Sequence, residues 1–201
     1  MALSLITAPT SEPVRLTDVK AHLRIVDTVT DDDPLVGDLL SAATEYVENF
    51  VHRKLITQTW DLKLAGFPAV LEVPFPPVQS ATITYVDTAG DTQTLSTSVY
   101  TTDFPTGPYA PLARIVPAYG QTWPSTRSVI NAVTVRFVCG YGNKESSVPW
   151  SIKQAIKLMV QHWYDVGLQP VVIGAGNTVT PVPKTVDDLL WPYKVFAEAC
   201  A

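Results

Sequence analysis

The chain has 201 residues, 46% apolar and 16% charged, with a net charge of −5. That supplies enough apolar material for one core with a large insertion, or for two small domains. The 14 Lys and Arg are scattered and never run beyond Arg53-Lys54, which argues against a strong nucleic-acid-binding face built from clustered cations. Cys139 and Cys200 offer no disulfide framework and no CxxC motif. No basic stretch followed by an apolar core opens the chain, and no apolar run approaches about 18 residues. Neither a secretory signal nor a membrane span is expected.

Residues 1–13 are small, polar and Pro-containing and are expected to lie extended. A first short helix begins around Leu16, with Thr17 as its N-cap. Val19, Leu23 and Val26 would form its buried side, and Lys20 and Arg24 a solvated one. Asp31-Asp32-Asp33-Pro34 marks a sharp helix start, with Asp33 capping and Pro34 in the first turn. A calcium loop would need alternating ligands, a central Gly and a later Glu, which this run lacks. The next helix is the clearest element. Leu35, Val36, Leu39, Leu40, Ala43, Tyr46, Val47, Phe50 and Val51 recur at helical spacing. Its opposite face carries Asp38, Glu45, Glu48 and Asn49.

Over the next 90 or so residues the period changes to two. Trp60, Leu62 and Leu64 alternate with polar neighbours, as do Ala81, Ile83 and Tyr85. Asp87 to Gly90 reads as a turn, with Thr92 to Leu95 returning, and Val133, Val135 and Phe137 alternate again. These are half-buried antiparallel strands. The Pro-rich stretches 74–77 and 103–111 are loops or edges. In the turn-rich stretch 117–124, Tyr119 and Trp123 are candidate partner-facing aromatics, with local packing as the competing reading.

After Pro149 the helical period returns, with Ile152, Ala155, Ile156, Met159, Val160 and Trp163 forming a stripe that suits the helix at 35–51. Gly167 and Pro170 stop it. Residues 168–184 read as linker. Val186, Leu189, Leu190, Tyr193 and Phe196 then recur at helical spacing, with Trp191 beside them and Pro192 interrupting. This segment is either docked on its own domain or waiting for another subunit.

The fold class expected is α+β. A small helical core, of two N-terminal helices plus one later helix, carries a large antiparallel β insert and a C-terminal arm. The parts are residues 1–55 (helical), 56–147 (β insert), 148–167 (core helix packing on 35–51) and 168–201 (linker and docking arm).

No catalytic constellation emerges. His22, His52 and His162 form no metal-ligand spacing, and no nucleophile elbow or phosphate loop is present. A stretch at 171–177 imitates a dinucleotide fingerprint, but it lacks the third Gly and the helix that the pyrophosphate requires. Glu45/Glu48 and Asp187/Asp188 sit on solvated helix faces. Glu48, His52 and His162 would converge only if the two long helices bring them together. Catalytic, cofactor and metal residues are therefore assigned as none. A competing reading makes the β block a sandwich-type ligand- or surface-binding module using Tyr109, Tyr119 and Trp123.

Several stretches together carry a family resemblance. They are VRLTDVKAHLRI at 14–25, DDPLV at 32–36, AATEYVENF at 42–50 and LITQTW at 55–60. To these add PAYGQTWP at 117–124, VRFVCGYG at 135–142, VPWSIKQAI at 148–156 and HWY at 162–164. In this order they resemble the head–tail connector (adaptor) proteins of tailed double-stranded DNA bacteriophages and gene transfer agents. The resemblance implies a non-enzymatic virion protein of the neck, made in the host bacterial cytoplasm. It implies a ring of about twelve copies below a portal protein, closed by heterologous contacts. DNA would pass through the ring without specific binding, and a stopper or tail-completion protein would dock beneath. No cofactor and no membrane partner are implied. Val186, Leu189, Leu190, Trp191, Tyr193 and Phe196 would form the portal-docking arm, with Tyr119 and Trp123 on a partner-facing loop.

Overall fold

The computed structural model describes residues 1–166 and 184–196. The linker expected at 168–184 falls almost wholly outside them, as do the fingerprint-like stretch and Cys200.

Helix α1 (Leu16–His22) and helix α2 (Asp33–Val51) come from the N-terminal quarter. Helix α3 (Trp150–Val166) packs on α2, and helix α4 (Lys184–Leu190) packs on α3. The apolar stripes meet as their spacing requires. Val36, Leu39, Leu40, Ala43, Val47 and Val51 of α2 are buried with Ile152, Ala155, Ile156, Met159 and Val160 of α3. Each large side chain so buried contributes roughly 1.5–3 kcal/mol before conformational entropy is subtracted. Two stripe members differ, because Leu35 and Tyr46 lie at the edge of the apolar arc and stay exposed.

Two antiparallel sheets form the other half. The larger has strand order β1-β2-β8-β4-β5, from β1 (Ala2–Thr7), β2 (Gln58–Leu64), β8 (Val133–Cys139), β4 (Val78–Val86) and β5 (Thr92–Thr94). The smaller has the order β3-β7-β6, from β3 (Leu71–Val73), β7 (Ala113–Pro117) and β6 (Tyr100–Asp103). Register puts Leu62 and Ile83 on either side of Val135. This row and Phe137 face Leu71, Val73 and Ile115 of the smaller sheet in a second core. The expected turn after β4 is closed by Asp87, whose Oδ1 accepts the amides of Ala89, Gly90 and Asp91 at 2.9–3.0 Å.

Where β8 ends, Gly140 has φ +119°, and a Cβ there would lie 2.6 Å from the Ile56 carbonyl oxygen. Only glycine allows so close a crossing. It brings residue 141 beside the start of β2, where Tyr141 N donates to Leu55 O at 3.1 Å.

Several local expectations change. The N-terminal residues do not simply lie extended, since β1 adds an edge strand on β2. Its sequence has no strict alternation because one face and one edge are open to solvent. Thr17 does not cap α1, because the helix starts one residue earlier, with Arg15 extended at the N-cap. Val26 is 65% exposed, because the chain leaves the helix after His22. Lys20 is 3% exposed rather than solvated. Its ammonium pairs with Asp33 at 2.7 Å and donates to the carbonyls of Asp27 and Val29. Asp33 therefore binds Lys20 rather than capping α2. Asp32 takes the N-cap position without a side-chain capping bond and accepts from the Tyr164 hydroxyl at 2.7 Å.

Candidate functional site

The two cores meet where α2 turns into β2. His52 ends the helix in a left-handed conformation, φ 55°, and the Arg53-Lys54 pair follows. Arg53 is 2% exposed. Its Nε donates to the Tyr193 carbonyl, and its Nη1 donates to the Pro76 carbonyl at 3.4 Å. One guanidinium thus joins helix, β block and C-terminal segment. Burial lowers its pKa, and the neighbouring Tyr141 hydroxyl opposes that shift. Burial also pushes the Tyr141 phenol up to about 12. That hydroxyl donates to the Pro108 carbonyl at 2.9 Å.

Glu48 closes the same corner. Its carboxylate accepts from Lys54 Nζ at 2.7 Å, from the Leu55 amide at 2.9 Å and from Gln58 Nε2 at 3.5 Å. It is therefore not on a solvated face, because the chain folds back over it. Its bonds tie the helix end to the first residues that follow it. His52 lies instead on a cavity of about 290 Å³ shared with Met1, Phe75, Leu112 and Val195. No group of three or more His, Cys, Asp or Glu suited to a metal occurs among the described residues. No helix among them is long and apolar enough to cross a membrane. Cys139 is buried, and that burial pushes its thiol up to about 12, which leaves it unreactive as a nucleophile.

The six residues of the expected docking arm divide. Val186, Leu190 and Tyr193 are buried in the helical core and Leu189 is half-buried against it. Val195 N donates to Val51 O at 3.0 Å, which fastens the segment to the end of α2. Trp191 and Phe196 face outward, 58% and 60% exposed, with ring centres 5.7 Å apart. The Lys194 ammonium lies over Phe50, Trp191 and Phe196 at 4.6, 5.5 and 5.9 Å. The interruption at Pro192 is a short 3-10 turn, Trp191–Tyr193.

In the 117–124 loop the two aromatics separate. Tyr119 is fully exposed at a turn closed by Gln121 N donating to Ala118 O. Trp123 stacks flat on Phe67, with centres 4.8 Å apart and planes at 9°. Tyr109 leans on Tyr193 at 5.1 Å. The three aromatics of the ligand-module reading thus belong to different surroundings. Sequence reasoning missed the Arg53 junction. Its one signal was a basic doublet directly after an apolar helix, where an isolated helix end would be solvated.

The helical pair and the first strands, residues 13–83, match the family of phage gp6-like head-tail connector proteins. The match is confined to residues 13–83, so it is a likeness of that part of the chain to head-tail connectors. Solved structures similar in fold cover all of this chain and 99% of their own. One is a chain of the virion of a native gene transfer agent particle, with TM-score 0.77 and 19% identity. Another, from the neck of an empty gene transfer agent particle computed with sixfold symmetry, has TM-score 0.76 and 20% identity. A third, from the neck of the native particle computed with twelvefold symmetry, has TM-score 0.74 and 19% identity. A comparison with curated protein sequences gives no match.

Proposed function

We propose that this chain is a head–tail connector, a non-enzymatic structural protein of a virion neck. About twelve copies form a ring below the portal protein, closed by heterologous contacts between unlike faces. The family match over residues 13–83 is the observation that carries this reading. The full-length likeness in fold to chains of gene transfer agent necks supports it. A net charge of −5 per copy suits a channel through which DNA slides. The repulsion reaches only about 8 Å at physiological salt, so it discourages sticking without blocking passage.

Trp191 and Phe196 are the parts of the C-terminal segment left free to meet the portal. Val186, Leu190 and Tyr193 hold that segment in place. Tyr119, at the other exposed turn, is offered to a stopper or tail-completion protein, with Trp123 supporting its loop from within.

The test is co-expression with the portal from the same genome, with mass by light scattering and electron microscopy of any large species. A portal-bound ring is expected. The double substitution Trp191→Ala with Phe196→Ala should weaken portal binding roughly tenfold or more while the chain stays folded. A stable monomer that ignores the portal would overturn the proposal.

A further inference from the structure

One end of the helical body holds an incomplete ion site. Helix α1 and the first half of α3 enclose a hollow of about 420 Å³ lined in part by Arg15, His22, Trp150, Lys153 and Lys157. Arg15 is already satisfied, since its Nε meets Asp18 at 3.3 Å and Glu145 at 2.9 Å. Lys153 is not. It is 8% exposed, its ammonium lies 3.7 Å from the centre of the Trp150 ring, and it has no carboxylate or carbonyl partner among the described residues. Lys157, one turn further along, also lacks a partner among them. His22 Nε2 is shut off from solvent with no hydrogen-bond partner. An ammonium held against a ring with no carboxylate beside it gains from an anion brought into the hollow. With Arg15 holding the Asp18 and Glu145 carboxylates at the rim, the two lysines leave the hollow able to take an oxyanion from outside the chain.

We propose that this oxyanion is a side-chain carboxylate of a second copy, supplied by the opposite end of the same helical body. That end is acidic. Asp31 and Asp165 are exposed and have no ion-pair partner among the described residues. The Tyr164 bond to Asp32 brings the stretches that carry them together. Asp165 lies about 18 Å along the axis from Lys153, at 1.5 Å per residue, so the pair cannot form within one copy. A head-to-tail neighbour can form it. The body is thus charged oppositely at its two ends, as a heterologous contact requires. Trp150, 77% exposed beside the hollow, supplies the apolar anchor of that contact. A nucleic-acid backbone fits less well, because its closely spaced phosphates would face Asp18 and Glu145 at the rim.

The inference rests on the ring reading above, and its test separates the two. Full-length chain, half of it labelled with ¹⁵N, is assembled on the portal and treated with a carbodiimide that joins amines to carboxylates. Mixed-isotope links from Lys153 or Lys157 to Asp165 or Asp31 are expected. Lys157→Glu should weaken ring completion roughly tenfold, and adding Asp165→Lys in the same chain should restore it. Lys157→Gln, at a half-exposed site, is the milder variant if Lys157→Glu does not fold. Wild-type rings that yield no such links, with variants that assemble normally, would overturn this inference alone. A wild-type chain that forms no ring would overturn the connector reading and this inference with it. Binding of labelled duplex DNA that Lys153→Gln abolishes would assign the hollow to phosphate and overturn the proposal.

Discussion

The helical core and the β core bury similar apolar residues, but they treat charge differently. Between the two sheets, Phe137, Val135, Ile83, Leu71 and Ile115 form an interior of apolar side chains. The ion pairs of that block, Asp61 with Arg136 and Glu72 with Arg114, each span neighbouring strands, the first through two contacts of 2.8 and 2.9 Å. The helical half instead buries Lys20 and Lys153, and the junction buries Arg53 with Gln58 of β2, whereas Asp61, buried in the β block, is paired within the ladder. Strands in a ladder satisfy their own backbone, so side chains there need only fill space. Helix ends and crossovers leave carbonyls and amides without partners, and long polar side chains reach in to meet them.

If that contrast is right, the largest effect comes from the apolar interior. Phe137→Ala should cost about 4 kcal/mol, read as a shift in the urea midpoint, because a ring-sized cavity opens where nothing can collapse into it. Leu190→Ala should cost about 3 kcal/mol in the same assay. A near-neutral result would mean that the C-terminal segment is only loosely held, and that the whole arm is available to a partner. Arg53→Ala should cost about 2 kcal/mol, through the stranded Tyr193 and Pro76 carbonyls. It should also open residues 184–196 to limited proteolysis before the helical and β cores. Uniform proteolysis would show that Arg53 is not the fastening.

A smaller effect depends on pH. The Cys139 thiol is raised from 9.0 to about 12 in the folded chain by burial. The folded state then holds the proton more tightly than the unfolded one. Its contribution is complete below about pH 9 and is lost as pH rises toward about 12. Urea midpoints should fall across that range, and Cys139→Ala should flatten part of the slope. The smallest effect is at the exposed turn. Tyr119→Ala should change stability by no more than about 0.5 kcal/mol, measured by thermal melting. A larger loss would mean that the ring covers part of its own core.

Periodicity carried most of the fold. The stripes of α2 and α3, the alternation in β2, β4 and β8 and the turn at Asp87 follow from spacing alone, because each side chain has one face on which it can be buried. The edge strand β1 was not legible, since a strand open on one side needs no strict alternation. The burial of Lys20 and Glu48 was equally hidden. Both sit at helical positions that look solvated until a loop folds back over them. Of the candidate surface, the aromatic content of the 186–196 segment was visible, but its division into inward and outward residues was not.

By itself, the sequence determined that two long amphipathic helices must pair and that a strand block lies between them. It also carried a likeness to head-tail connectors, over residues 13–83. Tertiary structure alone decided which polar groups are internal and which aromatics are free. Arg53 becomes the junction because three distant segments present carbonyls or a phenol at one point. Trp191 and Phe196 remain outside because the core beneath them is already filled by Val186, Leu190 and Tyr193. Neighbours in space, not in sequence, set the cost of burying a charge and the room left for a ring.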